Sequence, residues 1–329
     1  VFHLSHRGEL INGTPCLDQM VDYNESSQLK LWTFEGVEEL EACRAYTNFK
    51  ARQFLSSRRQ GEGGDENTSA IPVSHHACGD RSEIGEPEVY ITQEPLESPT
   101  GNLYLTSAEE AVLVNFYLSK LPDLIGPSAQ IRRLRRESKV LATAAMLYRR
   151  FFVSNSVLLF DPKTILVAAA FLASKVENVM ADTDTKSLEE GTAAMNAAVS
   201  TQEIVIAEIA LISGIHFDLL CFHPYKAVIA LTEDLRTFLK TGAGKSLSEK
   251  VVTSQDLKPM YDRARAILDD VVISDLVLLF SPGQIGLAAL MVAQEEEGNV
   301  HLDCWPTLEL VFRRNKPTGC LVFCNASQA

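Results

Sequence analysis

The 329 residues carry 30 Lys and Arg against 43 Asp and Glu, a formal net charge of −13, so repulsion excludes a general affinity for nucleic acid or anionic membrane. Hydrophobic residues make up 46% and charged residues 22%, a globular composition in a chain long enough for two ordinary domains. Seven scattered cysteines without a CxxC pair read as reduced intracellular thiols, and no stretch reads as a signal peptide or membrane span.

The chain begins with Val1, and its first methionine is Met20. Residues 1–22 are expected to be non-native or disordered. Residues 23–60 open with a turn-rich segment, after which Thr33 or Gly36 leads into a helix with an apolar stripe of Leu40, Cys43, Ala45, Tyr46, Phe49 and Phe54. Its other face is charged, so it flanks a core. Residues 61–102 are rich in Gly, Glu, Ser, Asp, His and Pro without a period and read as a flexible insertion. His75, His76 and Cys78 lie within it but lack a fourth ligand at suitable spacing, so a plain loop is expected and no metal.

A helical bundle is expected over residues 103–221. Thr106 and Glu109 form a capping box, opening a first helix through Val112, Phe116 and Leu121 that ends near Pro122. A second is expected from about Ala129 to Ser154. The third, within residues 161–178, starts at Asp161 and Pro162 and is apolar at every position from Ile165 to Ala173. Nine apolar residues are far short of the roughly 20 that a bilayer needs, so this is the centre of a bundle. A fourth helix is expected near Ser187 to Val199, and a fifth from Thr201 through Ile204, Ile206, Ile209, Leu211 and Ile215. The link over residues 216–225 follows, with Pro224 starting the next helix.

The central stretch then recurs. Pro162, Ile165, Ala168, Ala169 and Ala173 return as Pro282, Ile285, Ala288, Ala289 and Ala293, each 120 positions later (282 − 162 = 120), and VSNSVLLFDP upstream of the first is matched by ISDLVLLFSP upstream of the second. A period this long means a duplicated domain rather than a solenoid. The second bundle, residues 222–312, is expected to hold helices near 225–239, 255–275 and 282–297 and one starting at Pro306, and to be one or two helices short of the first. Residues 313–329 read as an irregular tail. At the rim of the shared core the copies differ, with Lys175 in the first and Glu295 in the second.

Catalytic machinery is not visible. GAGKS at 242–246 lacks the first glycine and the preceding strand of a phosphate-binding loop. The arginines 132, 133, 135 and 136 lack interleaved aromatics, so they read as a solvated helix start or a docking surface for an acidic segment. Cys320 and Cys324 have no matching pair for zinc. Lys175 and Glu208 are either two surface charges worth little or the border of a groove that bonds a partner's backbone; spacing leaves both readings open.

The repeated five-helix pattern with FLASKVEN at 171–178 resembles the cyclin box, and the tandem arrangement resembles a cyclin. YNESSQLKLWTF, MLYRRFFVSNSV, FHPYKAV and ISDLVLLFSPGQIGLAAL are similar to the cyclin H branch of that family. The resemblance implies an all-α fold of tandem five-helix cyclin boxes and a subunit that is not an enzyme and needs no cofactor. Its partner would be a cyclin-dependent kinase catalytic subunit, bound through Lys175 and Glu208, with an assembly factor and subunits of transcription factor TFIIH beside it in the nucleus. No direct sequence-specific nucleic-acid contact and no membrane are implied. The MRxxL docking sequence of mitotic cyclins is absent from the first helix, favouring the transcription-linked branch. A cyclin C-like subunit is the alternative within the family. A TFIIB-like double-box scaffold on promoter DNA is a further one, against which stand the acidic charge and the lack of a zinc ribbon. A free-standing enzyme ranks last.

Overall fold

The computed structural model describes residues 22–60, 104–179, 184–242 and 255–297, and these are helical without a strand among them. The positions singled out at His75, His76, Cys78, Pro306, Cys320 and Cys324, and all of GAGKS beyond Gly242, lie outside the described residues. In chain order the helices are α1 (Ser27–Trp32), α2 (Val37–Gln60), α3 (Ser107–Leu118), α4 (Leu121–Ile125), α5 (Ser138–Ser154), α6 (Pro162–Val176), α7 (Thr185–Ala194), α8 (Thr201–Gly214), α9 (Pro224–Phe238), α10 (Lys258–Val271), α11 (Leu276–Leu279) and α12 (Pro282–Glu297). Short 3₁₀ turns precede α1 and α5.

Local chemistry sets the helix starts. Asp161 accepts the Lys163 N–H at the start of α6, where Pro162 occupies the first turn without a missing donor. Complete capping boxes open α3, from Thr106 with Glu109, and α8, from Ser200 with Glu203. Every residue of α6 from Ile165 to Ser174 is buried, as the unbroken apolar run requires. Helices α3, α4, α5, α7 and α8 all pack against it. Its counterpart α12 packs against α9, α10 and α11, but Ala288, the equivalent of the fully buried Ala168, is exposed.

Three sequence expectations are corrected. Helix α3 stops at Leu118, and the residues it buries are Glu110, Val114 and Leu118, while Val112 and Phe116 stand 67% and 52% exposed. Apolar residues surround this helix, so its inward face could not be chosen from their spacing. The second helix begins at Ser138 rather than Ala129. Residues ahead of it form a turn pinned by the Arg136 N–H donating to the Ile125 carbonyl at 2.8 Å. The segment before Thr33 holds α1, capped by Ser26, which is too short for a periodic signal.

Two consecutive arginines of α5 join the parts. The Arg149 side chain, 2% exposed, pairs with Asp275 and donates to the Ile273 carbonyl, both in the second bundle, and to Asn115 Oδ1 at 3.2 Å. Arg44 of α2 binds the same Asp275 bidentately at 2.7 and 3.0 Å. Burial works to raise the Asp275 carboxyl, but the two guanidinium groups outweigh it and hold it below the usual range. Burial pulls Arg149 down to about 10, against the pull of Asp275, so it remains charged at neutral pH.

Arg150 is fully buried and turns to the N-terminal segment and the link. It donates to the Asp218 and Leu220 carbonyls at 2.9 and 3.0 Å and to Gln28 Oε1 at 3.2 Å, and lies over the Trp32 ring. Trp32 Nε1 donates to Asp218 at 2.6 Å, and Gln28 exchanges hydrogen bonds with the Phe222 backbone. The Phe34 N–H donates to the Leu278 carbonyl at 2.8 Å, so the N-terminal segment touches both bundles.

Asp275 is half of a desolvated contact, so neutralising it leaves the Arg149 charge buried without its counter-ion. We predict that Asp275→Asn costs on the order of 3 kcal/mol in chemical denaturation; a loss near zero would mean that the Arg149 contact is not formed in solution. Glu110 offers a second test. Burial pushes its carboxyl from the ordinary 4.5 up to about 7, against the hydrogen bond it accepts from Ser156. A raised folded-state value means that stability is fullest below the ordinary value and is lost as pH rises through about 7. Glu110→Gln, which stays neutral, should therefore gain on the parent chain by about 2 kcal/mol between roughly pH 5 and pH 8, read as the pH dependence of the unfolding midpoint; parallel profiles would contradict the shift.

Candidate partner-binding site

Lys175 and Glu208 are brought together. Lys175 closes α6, Glu208 lies midway along α8, and the ammonium meets both carboxylate oxygens at 2.5 and 2.7 Å. The same ammonium lies 4.0 Å from the centre of the Phe171 ring, one turn back on α6, a cation–π contact. The lysine remains 37% exposed, so the pair itself adds little to stability, about 0–1 kcal/mol.

What distinguishes the site is an inversion on α8. Glu208 is only 8% exposed, while Ile206 and Ile209 beside it are 60% and 64% exposed, with Val205 exposed as well. Ile204 and Leu211 fill the core from the opposite side. A helix apolar on both faces, with one face outward beside a half-open ion pair, is built to be covered. Gly214 lets α8 close onto α5: a Cβ there would sit 2.5 Å from the Phe151 ring. Beyond α8 the backbone turns through His216 and Phe217, both at positive φ, and Phe217 is 72% exposed. Sequence reasoning singled out Lys175 and Glu208 and did not single out Val205 or Phe217. For Val205 the available signal was apolar residues in excess of what one buried face of α8 can use.

The end of α6 is fixed by α5 and, through Thr143, by the start of the second bundle. Glu177, its C-cap, pairs with Lys139 and accepts the Thr143 hydroxyl at 2.6 Å. Burial works to raise the Glu177 carboxyl, but these donors outweigh it and hold it low. Since the single Thr143 proton is committed to the carboxylate, the contact of 2.8 Å between Thr143 Oγ1 and His223 Nε2 requires the imidazole to donate from Nε2. Burial holds His223 down to about 4, against the attraction of Glu177, so it is neutral at physiological pH. His223 is the N-cap position of α9, so the bond joins the Lys175 end of α6 to the start of the second bundle. A void at this seam measures about 10 Å³, room for about one water.

Known proteins share the fold. The cyclin N-terminal domain matches residues 121–220 and the cyclin C-terminal domain residues 223–313. Among relatives, Cyclin CCL1 of Saccharomyces cerevisiae is 29% identical over 274 residues, 83% of this chain and 58% of the yeast protein's own length. Cyclin-H1-1 of Arabidopsis thaliana is 26% identical over 288 residues, 86% of this chain and 74% of the plant protein. A chain in the CAK complex of Chaetomium thermophilum bound to ATP-gamma-S superposes with a TM-score of 0.61 at 25% identity, covering 89% of this chain and 73% of the other. A chain of the yeast TFIIK complex (Kin28/Ccl1/Tfb3) shares the fold, with a TM-score of 0.54 at 23% identity over 89% of this chain and 97% of its own. The two matched domains cover more than half of the sequence and meet at the link that Arg150 holds: the chain belongs to the cyclin family.

Proposed function

We propose that this chain is a cyclin H-like regulatory subunit that binds and activates a cyclin-dependent kinase, in a nuclear CDK-activating kinase that also serves TFIIH. The observation that carries the reading is the exposed Val205, Ile206 and Ile209 face of α8 beside the Lys175–Glu208 pair. Support comes from the relatives named cyclin H and from the CAK and TFIIK complexes among the structural neighbours.

In this reading the apolar face of α8 takes the mobile helix of the kinase. Lys175 and Glu208 then exchange their mutual bond for contacts to a backbone carbonyl and a backbone N–H of that partner. A kinase with this helix pushed inward can complete its own Lys–Glu pair and order its activation loop. The chain supplies no catalytic group. It contributes a rigid surface, because α6 and α8 are held from behind by α5.

A cyclin C-like role is the second reading. It is favoured by 30% identity over 154 residues to an RNA polymerase II holoenzyme cyclin-like subunit of Mycosarcoma maydis, 45% of this chain and 37% of that protein.

The test is capture of kinases from nuclear extract on the purified chain, beside Lys175→Glu, Glu208→Lys and Ile209→Asp, with bound kinases identified by mass and assayed on activation-loop and polymerase-tail peptides. Recovery of a kinase active on both peptides supports the first reading. Each substitution should weaken it by roughly 2 to 5 kcal/mol, at least about thirty-fold in affinity. Activity on the tail peptide alone selects the cyclin C reading. If no kinase binds, or the variants bind as well as the parent, the proposal fails.

A further inference from the structure

The arginine cluster ahead of α5 is unlike the rest of this acidic surface. Arg132 to Leu134 form a single 3₁₀ turn with Arg135 as its C-cap. The turn is anchored inward by Leu134, which is fully buried. Arg132 opens the turn and Arg135 closes it, its N–H bonded to the Arg132 carbonyl at 3.2 Å, and both are exposed.

Their neighbours are already committed. Arg133 pairs with Glu190 of α7 and feels Asp184. Arg136 donates to the Arg133 and Arg135 carbonyls at 2.8 and 2.9 Å. Arg135 uses only its Nε, bound to the Ala129 carbonyl at 2.9 Å, and its two terminal nitrogens have no partner among the described residues. Arg132 has none there at all. No carboxylate among the described residues pairs with either, although the chain carries 43 acidic residues.

We propose that Arg132 and Arg135 form a docking site for a phosphorylated segment of a protein partner. Two exposed guanidinium groups carried by one turn match the dianionic charge and three acceptor oxygens of a phosphate ester better than a single carboxylate. The Ala129 bond holds one of the two forks in place before binding, which cuts the ordering cost of capture. The net charge of −13 repels a long polyanion but is screened beyond about 8 Å at physiological salt, so a short phosphorylated peptide meets the local positive field and a nucleic acid strand meets the whole. The site stands apart from the apolar face of α8 and does not depend on the kinase reading.

The experiment is fluorescence anisotropy on the full chain with three labelled probes: a peptide of Gly, Ser and Ala carrying one phosphoserine, its unphosphorylated twin, and a single-stranded DNA oligonucleotide of equal length. The phosphopeptide should bind, the twin should bind at least about tenfold more weakly, and Arg132→Ala with Arg135→Ala should bring the phosphopeptide to the level of the twin. Arg133→Ala, which removes an arginine already paired with Glu190, should change binding by no more than about twofold. Arg132→Glu alone, at a side chain with no contact to lose among the described residues, covers the case in which the double variant does not fold and should still weaken binding. Equal binding of the twin, unaltered binding by Arg132→Glu, or tighter binding of the oligonucleotide would each overturn the proposal.

Discussion

The relation between the two bundles rests on Arg149 and Arg150. Adjacent residues on a helix point about 100° apart, so one arginine reaches the second bundle and α2 while the next reaches α1 and the link. Both are buried, and buried ion pairs are poor sources of net stability because desolvation offsets the attraction. Their effect is directional. An Arg149 displaced from Asp275, or an Arg150 displaced from the Asp218 and Leu220 carbonyls, is a charge left in a dry interior, which penalises every other way of docking the bundles. Asp275 occupies the position that Asn155 holds in the first copy, 120 residues earlier. There the asparagine donates back to its own helix, to the Phe151 carbonyl at 3.0 Å. The equivalent position bonds its own helix in the first copy and makes a contact across the molecule in the second.

This fixed relation matters because the candidate site lies at its edge. Lys175 sits two residues before Glu177, and Glu177 is tied through Thr143 to His223 at the start of the second bundle. Arg149 and this three-residue relay run between α5 or α6 and the second bundle, and Arg150 holds α1 and the link between the bundles. Helices α6 and α8 therefore present the isoleucine face and the Lys175–Glu208 pair on a surface braced from behind. A partner helix docking there meets a preformed surface and loses little to ordering it.

Much of this was legible in the sequence, for identifiable reasons. The apolar run of α6 and the capping box of α3 are local signals, carried by residues within one short segment each. The duplication is legible because Pro282, Ile285 and Ala289 serve the same packing role as Pro162, Ile165 and Ala169. The inward face of α3 was not, because Val112 and Phe116 are as apolar as the buried Val114 and Leu118. Arg149 and Arg150 look like the wet end of a helix, since their partners lie 34 to 126 positions away. Lys175 and Glu208 could each be singled out, but their pairing depends on how α6 meets α8, across a separation of 33 residues.

The most direct test of the account is backbone hydrogen exchange on the whole chain, alone and with saturating cyclin-dependent kinase partner. Slowed exchange confined to the end of α6 and to residues 201–217, with the Val112 and Phe116 face of α3 unchanged, is the result predicted for a partner helix lying on the Lys175–Glu208 rim. Protection of α3 or of the second bundle, with α8 exchanging as before, would contradict it.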